Sequence, residues 1–399
     1  MGFLLALACA LILYGGLYPF NFDFGLHKES ALALLMASAH DRASWGDTIA
    51  NVIFFMPFGF FAMQSILPRA SKFGRLIFVV VAGAAFSLGI ECAQSGLPDR
   101  VTSVYDLATN TIGALFGAVL GWNDWRQTLS RYRPDSRPPA LFPFLLLGAW
   151  LGDRLFPFLL TLDVQNVKDA LKPLFFASFS PLLALGYFIV TMVVCRLMRG
   201  VTVPGNVRTA GTFLPLAVIA VKPFIQGRSI SQAEILGTLV GIAVWWCISG
   251  RIRPSTILLA LLLMAQIVIK ELDPFIFSPK PVSLFSFIPF IGFMEGSMIN
   301  NVMSFIEKVF LYGSLVWLLV KASGSLRFSL ISSVVLLTIL ELIQMFLPGR
   351  VSEITDPLLA VILGLVLYFL DLRGLPILSP SAASDGRLRR VNQVYGKKF

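Results

Sequence analysis

Between Glu91 and Gly113 the chain concentrates side chains able to do chemistry: Glu91, Gln94, Arg100, Asp106 and Asn110. A carboxyl near the outer end of an apolar run, with an arginine and side-chain amides at similar depth, suits either of two tasks. Glu91 can serve as an acid/base or ligand contact, and Arg100 can bind an anionic head group such as phosphate. Asn51, Gln94 and Asn110 would then position the ligand. The set recurs, with Glu341, Gln344, Pro348, Arg350 and Asp356 each 250 residues after Glu91, Gln94, Pro98, Arg100 and Asp106. A constant offset of this kind marks an internal repeat.

The same residues also have a purely structural reading. Arg100 can neutralise Glu91 and Asp106 and pin one hairpin, Asp106 can be a helix cap, and Asn51 and Asn110 can join helices. Ionisable residues inside membrane segments are costly and mark sites by default. Both readings stand at the level of sequence.

The elements that carry these residues follow from composition. Of 399 residues 56% are hydrophobic and only 14% charged, and the mean hydropathy is +0.80. Soluble domains carry about 25% charged residues. The chain reads as an all-α, polytopic transmembrane helix bundle. Apolar runs fall near residues 2–18, 49–67, 76–94, 106–124, 140–158, 174–195, 210–225, 231–249, 254–272, 298–320, 327–346 and 354–371. A span needs roughly 20 apolar residues, so about 12 helices are expected. The first run lacks a basic start and corresponds to internal segments, so it reads as a retained helix.

Glu91 and Gln94 share one helix face, and Gly96 and Pro98 end that helix. Ser103-x-x-Asp106 then opens the next helix as a capping-box-like start, and Ser231-x-x-Glu234 does the same further on. Asp106, Asn110, Gly113 and Gly117 line one face, polar at its outer end and small deeper in. A weaker copy of the pattern lies mid-chain: Arg228 precedes Glu234 by six residues, and Gly241 stands where Gly113 does. Tyr18-Pro19-Phe20, Phe156-Pro157-Phe158 and Asp273-Pro274-Phe275 end three of the runs alike. The chain thus divides into three parallel four-helix units, 1–126, 140–252 and 254–372. A basic tail, 374–399, is expected to be disordered.

The net charge is +10. In a membrane protein this follows the positive-inside rule and does not point to nucleic acid. Twenty of the 32 basic residues fall in one set of loops and the tail, among them Arg69, Lys72, Arg75, Arg126, Arg133, Arg196, Arg251 and Lys321. That face is expected to be cytoplasmic, with both termini inside and the Glu91–Asp106 turn outside. The four cysteines are far apart and form no C-x-x-C pair. His27 and His40 belong to a plain surface loop, and Asp153-Arg154 reads as a local ion pair. Lys222 and Gln226 stand where the middle unit lacks Glu and Gln. No P-loop, G-x-G-x-x-G, H-E-x-x-H or G-x-S-x-G occurs, and neither cofactor nor metal is expected.

These residues resemble the VanZ-like family. The pattern is Asn51 followed by Phe55-Met56-Pro57-Phe58-Gly59, then Glu91-x-x-Gln94, Arg100, Asp106 and Asn110-Thr111-Ile112-Gly113. The third unit departs from it: Asn301 matches Asn51, but Glu307 replaces Pro57 and Ala360 replaces Asn110. The middle unit keeps only Arg228, Glu234 and Gly241. The resemblance implies a multi-pass protein of the bacterial inner membrane with a role in the cell envelope, in a family named for a glycopeptide (teicoplanin) resistance protein.

Three functions remain open. The first is an accessory protein that binds an envelope lipid or lipid-linked glycan at the outer leaflet, with membrane lipids or envelope assembly proteins as partners. The second is an enzyme acting on a lipid-linked substrate with Glu91 as base. The third is a lipid or glycan transporter, which would place polar groups at midplane depth. The orientation is open to direct test. Cysteines introduced near Lys72 and Arg133 are expected to be shielded from an impermeant thiol reagent in intact cells, and one near Asp99 to be labelled. The reverse pattern overturns the orientation.

Overall fold

The computed structural model describes residues 1–23, 25, 29–38, 45–67, 70–98, 100–123, 141–201, 207–249, 255–294 and 298–372. His27, His40, Asp99, Arg126, Arg133, Arg251 and the 374–399 tail lie outside the described residues. The helices are α1 (Gly2–Leu17), α2 (Ala31–Ala37), α3 (Trp45–Ser65), α4 (Lys72–Gln94), α5 (Val104–Leu120), α6 (Leu141–Leu155), α7 (Val164–Leu171), α8 (Pro173–Phe176), α9 (Pro181–Val201), α10 (Val207–Val221), α11 (Gln232–Ser249), α12 (Thr256–Leu272), α13 (Ile291–Met294), α14 (Met298–Ser323), α15 (Leu326–Gln344) and α16 (Thr355–Leu367). Among the described residues β-structure is limited to two isolated bridges.

The protein is an all-α membrane protein. Among the described residues six helical stretches, 48–65, 72–94, 181–201, 300–323, 326–344 and 355–372, are long and apolar enough to cross a bilayer by length and composition. The helices fall on the apolar runs with one clear shift. The run at 174–195 begins in the short α8, is broken by a loop at 177–180, and continues as α9 from Pro181, where a proline fits the first turn. The short helices α2, α7, α8 and α13 lie between the apolar runs or at their edges.

Serine starts many of these helices for a local reason. The side-chain oxygens of Ser71, Ser103, Ser231, Ser255 and Ser325 accept the N–H three residues on, satisfying donors the helix cannot. The start of α6 is capped from far away. The Asp371 carboxylate accepts the Leu141 N–H at 2.7 Å and the Phe142 N–H at 3.2 Å.

The core forms around α14, whose residues 310–320 are all buried. It packs against α3, α6, α12, α15 and α16. A second, smaller core joins α1, α3, α4 and α5. There α3 and α5 run almost backbone to backbone, because small residues allow it. A Cβ on Gly117 would stand 2.0 Å from the Met56 carbonyl oxygen, and one on Gly59 2.0 Å from that of Ala114. Gly117→Val is therefore expected to lower thermal stability in detergent by about 3 kcal/mol, the upper end of overpacking costs. Gly148→Ala, where a Cβ meets nothing within 4 Å, is expected to leave the melting temperature unchanged or slightly raised.

Candidate functional site

The three X-Pro-Phe turns fold alike. After α1, α6 and α12 the peptide before Pro19, Pro157 and Pro274 is cis, and the following Phe20, Phe158 and Phe275 have φ of 64°, 63° and 61°. Bulky residues rarely adopt this left-handed conformation. Each phenylalanine N–H turns back to the last helical residue: Phe20 to the Leu17 oxygen at 2.9 Å, Phe158 to Leu155 at 2.8 Å and Phe275 to Leu272 at 2.7 Å.

These helix ends leave carbonyls without helical partners, and the motif residues supply them. Arg100 donates to the oxygens of Tyr18 (3.4 Å) and Gly15 (3.3 Å), and Gln94 to that of Gly16 (2.8 Å). Arg350 donates to the oxygens of Asp273 and Lys270, both at 3.1 Å, and Gln344 to that of Glu271, also at 3.1 Å. Arg228 donates to the Phe156 oxygen at 2.6 Å. Arginine thus fastens the ends of α1, α6 and α12. Among the described residues it makes no ion pair with Glu91 or Asp106.

The two glutamates also have matching partners. Glu91 is 2% exposed, and its Oε2 accepts the Ser103 N–H at 2.8 Å. Glu341 is 1% exposed and accepts the Glu353 N–H at 2.8 Å. Each carboxyl ties the end of one helix to the turn that opens the next. Asn110 donates to the Ser87 hydroxyl at 3.0 Å, while its own oxygen is buried without a protein partner. Burial raises the pKa of the Glu353 carboxyl in the α15–α16 turn, and its hydrogen bond from the Gly292 N–H (3.1 Å) partly opposes that rise.

A second layer of polar groups lies against the first residues of α11 and α16. In the middle of the chain Glu234 is held by Lys222 Nζ at 2.6 and 2.8 Å, with Arg154 Nη1 at 3.7 Å. Arg154 also pairs with Asp153 at 3.4 Å and stands over the Tyr187 ring at 4.8 Å. In the C-terminal group Asp356 is held by Lys308 Nζ at 2.6 Å and by the Tyr312 hydroxyl at 2.5 Å. That hydroxyl also lies 3.1 Å from Glu271, whose other oxygen accepts from Gln344 at 3.0 Å. Lys270 and Glu307 form a further pair. Asp106, in the N-terminal group, is half-buried in the first turn of α5, with its N–H on the Ser103 hydroxyl at 3.3 Å.

Asn301 sits near the start of α14 and donates to the Phe293 oxygen at 2.9 Å. Tyr312, further along the same helix, is the residue that reaches Asp356. Arg154, Tyr187, Glu271, Lys308 and Tyr312 thus join the candidate residues through the tertiary structure. Only the Asp153-Arg154 pair and Lys222 carried a signal in the sequence.

The fold defines an all-helical integral membrane protein whose polar residues gather where helices begin and end. Residues 3–125 match the VanZ/LLP1 family model, and this part of the chain is VanZ-like. No curated protein and no solved structure matches the chain.

Breaking a buried ion pair from one side costs about 3–5 kcal/mol. Lys222→Met is accordingly expected to lower stability in detergent by about that much, and Lys222→Met with Glu234→Gln to recover most of the loss. Thermal melting in detergent reads both.

Proposed function

We propose that the protein is an accessory protein of the bacterial cell envelope that holds an envelope lipid or lipid-linked glycan at the outer leaflet, in support of glycopeptide-antibiotic tolerance. In this reading the chain comprises three VanZ-like units, 1–126, 140–252 and 254–372, and the first carries the ligand. The observation that carries it is a contrast in exposure. Glu234 and Asp356 are buried, 3% and 2% exposed. Around the Glu91 turn, Asn51, Gln94, Arg100 and Asp106 keep part of their surface, and the Asn110 oxygen is buried without a protein partner. The extent of the family match, 3–125, supports the same choice of unit.

Binding is favoured over acid–base chemistry because Glu91 is 2% exposed and occupied by a backbone N–H. A general base needs to reach a proton of the substrate. In native mass spectrometry of the detergent-purified protein, a lipid adduct distinct from bulk lipid is expected on the wild type. Asn51→Ala and Asp106→Asn are expected to lose it at least tenfold while melting within a few degrees of the wild type. Lys308→Met is expected to keep the adduct although it destabilises the protein. A wild type carrying only bulk lipid, or adduct loss that tracks melting in every variant, would sink the reading.

A further inference from the structure

The segments that follow α6 and α12 expose apolar side chains to a degree that water does not favour. Leu162 is 87% exposed, Phe176 81%, Leu284 87% and Phe287 76%. These are not loose ends, because the backbone is pinned. The Thr161 N–H bonds the Phe224 oxygen (2.8 Å), Gln226 N–H the Leu159 oxygen (2.9 Å), and Ile230 N–H the Ala170 oxygen (2.9 Å). In the C-terminal group the Ser278 N–H bonds the Phe346 oxygen (2.8 Å), and Val282 N–H the Met345 oxygen (2.7 Å). Rigid backbone that turns large apolar groups outward calls for an apolar neighbour.

Helix length says what that neighbour is. α6 has 15 residues and α12 has 17. At ~1.5 Å per residue they reach about 22 and 26 Å, short of a hydrocarbon core about 30 Å thick. The pinned segments begin where these helices stop. They also continue the apolar surface of neighbouring helices. Leu182 and Leu183, at the start of α9, are exposed just after the first segment. Phe277 and Ser278 of the second form one wall of a groove of about 440 Å³, closed by Ile339, Leu342, Ile343 and Phe346. Within the first segment α7 has the composition of a helix lying in an interface. Val164 stands beside Gln165, Lys168 and Asp169, all exposed.

We propose that residues 159–179 and 275–288 lie inside the bilayer, in the interfacial zone of the leaflet where α6 and α12 end, with their apolar side chains among lipid acyl chains. They complete the span that the short helices leave unfinished. Arg228 and Arg350, which close those helices, then sit below the general level of the head groups. This inference stands apart from the lipid-ligand reading, since it concerns bulk lipid and other residues.

The test uses the full chain in phosphatidylcholine–phosphatidylglycerol vesicles, with its native cysteines replaced. A polarity-sensitive fluorophore is attached to a single cysteine in Leu162→Cys, Phe176→Cys or Leu284→Cys, with Gln165→Cys as the polar control. Spin-labelled lipid is expected to quench the three apolar positions several-fold more than the control, and aqueous iodide several-fold less. Strong iodide quenching at Leu162 and Leu284 overturns the proposal. Shielding from both quenchers also overturns it, and would place a protein surface there. Each position replaces an exposed side chain, so the three variants carry the test independently.

Discussion

A helix ends with carbonyl groups that have no partner within it, and a buried one left unpaired costs about 1–3 kcal/mol. That constraint organises this protein. The ends of α1, α6 and α12 are closed by Arg100, Arg228 and Arg350, reaching back from chain 72 or more residues away. Arginine suits the task because its planar fork offers several donors in fixed directions. Gln94 and Gln344 add a donor to the same ends. Glu91 and Glu341 do the converse job, accepting a backbone N–H near the start of the next helix. Residues that look like a catalytic set in one dimension thus have a structural task first.

That task limits what these groups can do chemically. A carboxyl held on a backbone N–H and almost wholly buried is poorly placed to exchange protons with a substrate. Glu234 is held by Lys222 and Arg154, and Asp356 by Lys308 and Tyr312. A buried acid paired in this way is weak evidence of stabilisation. Asp106 is less deeply buried than either.

Helix α14 connects the parts. Its buried stretch carries Tyr312 into the Glu271–Asp356 network and packs Trp317 into the core, while Lys308 sits one turn earlier. Because α6 also packs on it, with its own start capped by Asp371, the middle and C-terminal groups share one interior. The N-terminal helices have a small core of their own and also join this interior, through Leu4, the packing of α3 on α14, the Tyr14 hydroxyl on the Pro289 oxygen (2.8 Å) and the stacking of Phe3 on Phe369.

The sequence by itself determined the membrane class, the placement of most helices and the caps at Ser103 and Ser231. Each of these depends on residues a few positions apart, and apolar length and capping are local properties. The likeness of the Glu91 and Glu341 turns was also legible, because a hairpin of unchanged length keeps one offset. The tertiary structure alone decided the partners. Arg100 reaches carbonyls of Tyr18 and Gly15, Lys222 reaches Glu234, and Tyr312 and Lys308 reach Asp356. Such pairings depend on which faces of distant helices meet and at what height, and no spacing within one helix records that.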